Sequence, residues 1–187
     1  MKAALKDARY TYADYCAWDD GERWELIGGK AYSMAPAPTT GHQGVQAELL
    51  SQLRVFLRGK KCRAFGAPVD VRLNAEGGDD TVVQPDILVV CDPSKLEDKK
   101  SVIGAPDLII EILSPSTERH DRGVKFELYQ KSGVHEYWIV DPRSKMVFVH
   151  LLHEGKYITQ PYYDNGNVPV ETLEGCMIDL AYVFEEN

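Results

Sequence analysis

No stretch of this sequence approaches the ~18 consecutive apolar residues that a membrane-spanning helix needs, so a transmembrane protein is not expected. The opening Met1-Lys2-Ala3-Ala4-Leu5-Lys6-Asp7 lacks the apolar core of a signal peptide, which gives a cytoplasmic expectation. Cysteine is sparse: Cys16, Cys62, Cys91 and Cys176 stand far apart, with no close pair of the kind that binds zinc or runs thiol redox chemistry. Reduced, mostly buried thiols are therefore expected. Positive charge is short too. A net charge of −8 disfavours broad adhesion to nucleic acid, which depends on neutralising phosphates. It leaves room for a local basic patch, or for a metal ion that supplies positive charge in an acidic cleft. Internal repeats, low-complexity tracts and linkers are absent, so the 187 residues are expected to form one domain, 1–187, with a substantial core.

What is present centres on residues 82–129. Val82 to Val90 reads as a buried apolar strand with Asp86 near its head, after Gln84-Pro85. Pro106 to Leu113 reads as another, carrying Glu111. Both are apolar on either side of the acid, as strands in a sheet interior are. A carboxylate in such a place is costly unless it is protonated, paired or bound to a metal. After Ser114-Pro115-Ser116-Thr117 an amphipathic helix carries Lys125, about one and a half turns in, a candidate partner for both acids.

The flanks supply the rest of an α/β domain. A short helix is expected after a Thr11 cap, then a hairpin from Arg23 to Met34 turning at Gly28-Gly29, then a loop with Pro36 and Pro38. The longest helical pattern runs from His42 to Arg58, with Val45, Leu49, Leu53 and Phe56 on one face and Glu48 near that inward stripe. It ends in Arg54, Arg58, Lys60, Lys61 and Arg63, a cluster that suits the helix dipole and equally suits phosphate contact. Arg63 to Leu73 reads as a strand broken at Pro68. Glu136 to Asp141 reads as a core strand, followed by a hairpin around Glu154-Gly155. The expected architecture is a mixed central sheet flanked by helices and extended by antiparallel N- and C-terminal hairpins.

Two carboxylates converging on one point repel each other unless a cation lies between them. Hard oxygen ligands favour Mg²⁺ or Mn²⁺, which also accept phosphate oxygens. A lysine beside such an ion can orient or deprotonate a water, or neutralise charge developing on phosphorus. Metal-dependent phosphodiester hydrolysis is the reaction class these side chains fit best. Simpler readings stand beside it: Asp86 as a strand-entry cap, Glu111 and Lys125 as a buried ion pair, and Asp121 with Lys125 as a surface pair at helical spacing. His42, Arg119, His120 and Arg122 are further candidates for phosphate contact. His150 and His153 point to opposite faces of their strand and make a poor zinc pair.

Gln84-Pro85-Asp86, then Glu111 to Thr117, then Asp121-Arg122-Gly123-Val124-Lys125 through Tyr129, resemble the PD-(D/E)XK nuclease superfamily. More narrowly, they resemble its branch of bacterial restriction-endonuclease-like proteins of unknown specificity. The resemblance extends from the Glu25 hairpin through Val134 to Pro142, and so covers most of the chain. It implies a restriction-endonuclease-like core with Asp86, Glu111 and the backbone carbonyl of Ile112 as metal ligands. It also implies Glu48 as a first-helix acid facing them. The superfamily places lysine two positions after the second acid, where this chain has Leu113; in the branch it resembles, Lys125 on the following helix takes that part.

The expected function is therefore a Mg²⁺- or Mn²⁺-dependent endonuclease acting on DNA, with Asp86, Glu111 and Lys125 catalytic. His42, Arg54, Arg58, Lys60, Lys61, Arg119 and Arg122 are then expected along the nucleic acid, and a homodimer to cut both strands. A non-catalytic nucleic-acid-binding module, or a hydrolase of a small phosphorylated substrate, stands as the alternative.

Overall fold

The computed structural model describes residues 8–34 and 37–185; Pro36 of the expected loop lies outside them. Along the chain come α1 (Tyr12–Tyr15), the hairpin of β1 (Trp24–Ile27) and β2 (Lys30–Ser33), and the long α2 (Thr40–Phe56). Next are β3 (Arg63–Gly66), β4 (Asp70–Arg72), β5 (Val82–Val83), β6 (Ile87–Val90), β7 (Ser101–Ile103) and β8 (Leu108–Ile112). A composite helix follows: α3 (Glu118–His120), a π-helical turn (Asp121–Lys125) and α4 (Phe126–Ser132), which ends at Gly133 in the left-handed conformation, φ 81°. The chain closes with β9 (Glu136–Asp141), β10 (Met146–His153), β11 (Lys156–Tyr163), β12 (Asn167–Pro169), β13 (Met177–Asp179) and α5 (Leu180–Val183).

The strands form a six-stranded sheet in the order β11-β10-β9-β8-β6-β3, and a five-stranded one in the order β2-β1-β5-β4-β7. The pairs β8–β9 and β4–β7 are parallel. The C-terminal hairpin β10–β11 extends the central sheet as expected. The N-terminal hairpin instead forms the edge of the second sheet. The stretch 82–90, expected to be one strand, is two: β5 belongs to the second sheet and β6 to the central one. Pro85 at the break has no N–H to continue a ladder, and the Gln84 N–H donates to the Glu25 carboxylate at 2.9 Å instead. Asp86 thus lies where the backbone passes from one sheet to the other.

Side-chain alternation along β8 divides the core. Ile110 and Ile112 face α2, packing with Val45, Leu49 and Leu53, while Ile109 and Leu113 face Tyr129 and Tyr137 on the other side. The α2 face follows from its sequence: Thr39 caps it by accepting the His42 N–H, and Val45, Leu49 and Leu53 recur every four residues. Leu49 is completely buried against the sheet, so Leu49→Ala should destabilise the fold by roughly 2–5 kcal/mol in urea denaturation.

The cysteines depart from expectation. Cys62 and Cys91 form a disulfide, Cys176 is buried and Cys16 is exposed. The bonded pair flanks the Arg63↔Val90 partners of the β3–β6 ladder, so strand register brings together residues whose spacing suggested no partnership. Among the described residues, no helix is long and apolar enough to cross a membrane.

Candidate active site

Continuing the antiparallel register Ile87↔Ile110 by one residue sets Asp86 opposite Glu111. Alternation turns the Glu111 carboxylate to the Tyr129 side of the sheet, while Asp86, just before β6, is reached by His42 of α2. The composite helix crosses the Tyr129 side and brings Lys125 over Glu111. The Lys125 Nζ lies 2.9 Å from Glu111 Oε1, 3.1 Å from Glu25 Oε1 of β1 and 3.7 Å from Asp121 Oδ1. All four are deeply buried, with 4, 4, 2 and 5 % of Glu25, Glu111, Asp121 and Lys125 exposed. Asp121 and Lys125 are therefore not an ordinary surface pair. Tyr129 O–H donates to the same Glu111 oxygen at 2.7 Å, fixing its rotamer.

One lysine among three buried acids sets the electrostatics. Burial pushes the Glu111 carboxyl well above the usual range, Lys125 pulls it down, and Asp121, Asp86 and Glu25 push it up again. Burial likewise raises Asp121 against the pull of Lys125. Burial alone would lower Lys125, yet Glu111, Glu25 and Asp121 together hold it well above the ordinary lysine value. That raised value favours the charged ammonium. That charge suits Lys125 to neutralising charge and orienting oxygens.

Asp86 is held from its other side. Its Oδ2 accepts the Ile112 N–H at 2.8 Å, and its backbone carbonyl accepts from Gln46 Nε2 and the Ala67 N–H. His42 Nε2 lies 3.1 Å from the Ile112 carbonyl and 3.3 Å from Asp86 Oδ2. Both oxygens only accept, so Nε2 carries a proton. Burial disfavours the imidazolium, but Asp86 and the Ile112 carbonyl outweigh it and raise the pKa. The other ring nitrogen, Nδ1, is buried with no hydrogen-bond partner among the described residues.

These side chains border a cavity of about 1070 Å³. Among the expected contacts, His42 and His120 reach it. Glu48 does not face the acids: it accepts from Gln52, which is also bonded to the Asp179 backbone. Arg54, Arg58 and Arg63 border a separate hollow of about 630 Å³ at the far end of α2, roughly 24 Å from His42 by helix rise. There Lys60 lies over the Phe56 ring, and Lys61 is exposed. Arg119 is exposed on α3, and Arg122 is paired with Glu118 at 3.1 Å. Glu25, Asp121, Gln46 and Tyr129 belong to the site although sequence reasoning gave them no role in it. Glu25 carried a usable signal, since Trp24-Glu25-Leu26-Ile27 is another acid between apolar strand residues.

The donor set suits a hard divalent cation. Asp86, Glu111 and the Ile112 carbonyl are hard oxygen donors at adjoining positions, and three buried acids face a single lysine. As arranged, those oxygens are held by protein donors: Lys125 and Tyr129 on Glu111, and His42 on the Ile112 carbonyl and beside Asp86. No group of three or more His, Cys, Asp or Glu side chains among the described residues stands in metal-binding geometry. The donor types are those a hard divalent cation takes.

A mixed sheet with two acids at adjoining positions, answered by a lysine from the next helix, defines a protein of the restriction-endonuclease-like class. The fold is shared with a protein from Anabaena variabilis ATCC 29413, whose crystal structure is described as that of "a putative nuclease belonging to DUF820". It aligns with TM-score 0.74 and 24% identity over 94% of this chain and 97% of that one. The chain belongs to the Uma2 family, described as "Putative restriction endonuclease", which matches residues 11–181. An uncharacterized protein of Synechocystis sp. is 27% identical over 177 residues, 90% of this chain and 89% of its own length.

Proposed function

We propose that the protein is a Mg²⁺- or Mn²⁺-dependent endonuclease that hydrolyses DNA phosphodiesters in the cavity over Lys125. One observation carries this reading: Asp86, Glu111 and Lys125, distant in sequence, line one cavity, in which the single lysine answers three buried acids. Asp86, Glu111 and the Ile112 carbonyl would hold the ion, which supplies Lewis acidity and a water of lowered pKa when bound. Lys125 neutralises the phosphoryl oxygens and keeps Glu111 oriented. Tyr129 holds Glu111 from behind, and His42 aligns Asp86 with the Ile112 carbonyl. Every one of these groups comes from one chain, so a homodimer is not required for a single cut.

The test is plasmid nicking by purified protein with Mg²⁺ or Mn²⁺ and with EDTA. Asp86→Ala should lower the divalent-dependent rate by roughly 100-fold or more, the scale of losing one preorganised electrostatic group. Equal nicking by wild type and Asp86→Ala would refute the proposal. DNA binding that persists in both without cleavage would favour a non-catalytic module.

A further inference from the structure

The cavity over the acids is walled by several elements. Its rim comes from four sides: Tyr32 and Met34 at β2, Pro68 between β3 and β4, Ser116 after β8, and Arg143 after β9. At its floor lie Glu111, Asp121 and Lys125, each at most 5 % exposed. A duplex carries its phosphates on the outside of a stiff rod, and groups this deeply buried are harder for it to approach. One nucleotide of a free strand reaches them more readily.

Charge points to contacts of another kind. Only two arginines border the cavity. Arg143 is occupied by Glu118 at 2.6 Å and Asp141 at 3.2 Å, while Arg23 is bonded to the neutral Gln84 amide at 2.6 Å. That is a thin footprint for any binding that rests on phosphate contacts alone, so other contacts must supply affinity. What the wall does offer is an aromatic surface: the half-buried Tyr32 ring lies against His120, centroids 5.4 Å apart and planes inclined at 46°. Aromatic faces bind unpaired bases without regard to sequence.

We propose that Tyr32, backed by His120, is a stacking platform for an unpaired base beside the scissile phosphate, so that the substrate is single-stranded or locally opened DNA. The substrate class rests on the phosphodiesterase reading; the platform can be tested without it.

The binding experiment uses the full chain with a short labelled single strand and its blunt duplex, followed by anisotropy in EDTA and in Ca²⁺, with 2-aminopurine in the strand reporting stacking. The single strand should bind at least ten-fold more tightly than the duplex. Tyr32→Ala should weaken it about ten-fold and abolish the 2-aminopurine quenching, while Tyr32→Phe retains both. Urea melts of both variants separate lost stacking from lost folding. With Mn²⁺, wild type should cut single strands and bubbles faster than duplex, and Tyr32→Ala should raise KM with kcat little changed. Equal affinity for duplex and single strand, or an unchanged Tyr32→Ala, overturns the platform. Duplex cut as fast as single strand, and lost in Asp86→Ala, overturns the platform but keeps the nuclease. Tyr32-dependent single-strand binding with no cleavage of any substrate keeps the platform and overturns the nuclease.

Discussion

Lys125→Met should lower folding stability at neutral pH by about 3–5 kcal/mol, the usual consequence of stranding buried charges by removing their partner. The side chain is 5 % exposed and answers Glu111, Glu25 and Asp121 at once, so no solvent replaces it. The pH dependence distinguishes this from a packing defect. The Lys125 pKa is raised in the folded state, so its stabilisation is complete below the ordinary lysine value and is lost only as pH rises through the higher folded value. Glu111 and Asp121 are raised as well, which for an acid has the opposite consequence. The folded state binds their protons more tightly, so stability falls as pH rises from the ordinary carboxylate range through their folded pKa values. In Lys125→Met both acids lose the group that pulled them down, and that fall should steepen. Urea titrations of both proteins across the acidic and neutral range measure it. A variant as stable as wild type at neutral pH, or a deficit that widens on acidification, would contradict the caged-lysine account.

Glu111→Gln should separate stability from chemistry. The amide keeps the volume and an oxygen for the Tyr129 hydroxyl, while removing a charge that burial disfavours. Lys125 keeps Glu25 and Asp121 as partners. The variant should be at least as stable as wild type near neutrality, with an advantage that shrinks as pH falls through the raised Glu111 pKa. On the nuclease reading its divalent-dependent cleavage should drop roughly 100- to 1000-fold. Single-turnover cleavage and urea melts on one preparation decide both halves. Cleavage within ten-fold of wild type would remove Glu111 from the reaction, and a collapse in stability would make its charge structural.

Much of this was readable beforehand, for a reason that also marks the limit. An ionisable residue inside an apolar strand is conspicuous in one dimension, and Asp86 and Glu111 were visible on that account. Their lying opposite each other needed only the register of two strands. Hairpin turns announced themselves through Gly28-Gly29 and Glu154-Gly155. The division of residues 82–90 between two sheets was not visible, because Val82-Val83 and Ile87 to Val90 are equally apolar and hydropathy does not say which sheet a strand joins. Glu48 was misplaced by helix phase. His42 and Gln46, four apart, share the face over Asp86, whereas Glu48 lies about 120° around α2 from His42 at ~100° per residue. The π-helical turn was hidden too, since a four-residue spacing of Asp121 and Lys125 suits an α-helix just as well. That turn belongs to a rare class concentrated at functional positions.

The Cys62–Cys91 crosslink bears on Asp86 from the opposite end of its strand. With the far ends of β3 and β6 bolted together, neither strand can slide past the other. A one-step slip would rotate Asp86 to the wrong side of the sheet, and a two-step slip would tear its carbonyl from both Ala67 and Gln46. The bolt thus keeps Asp86 in step with α2, and with the histidine that α2 brings beside it.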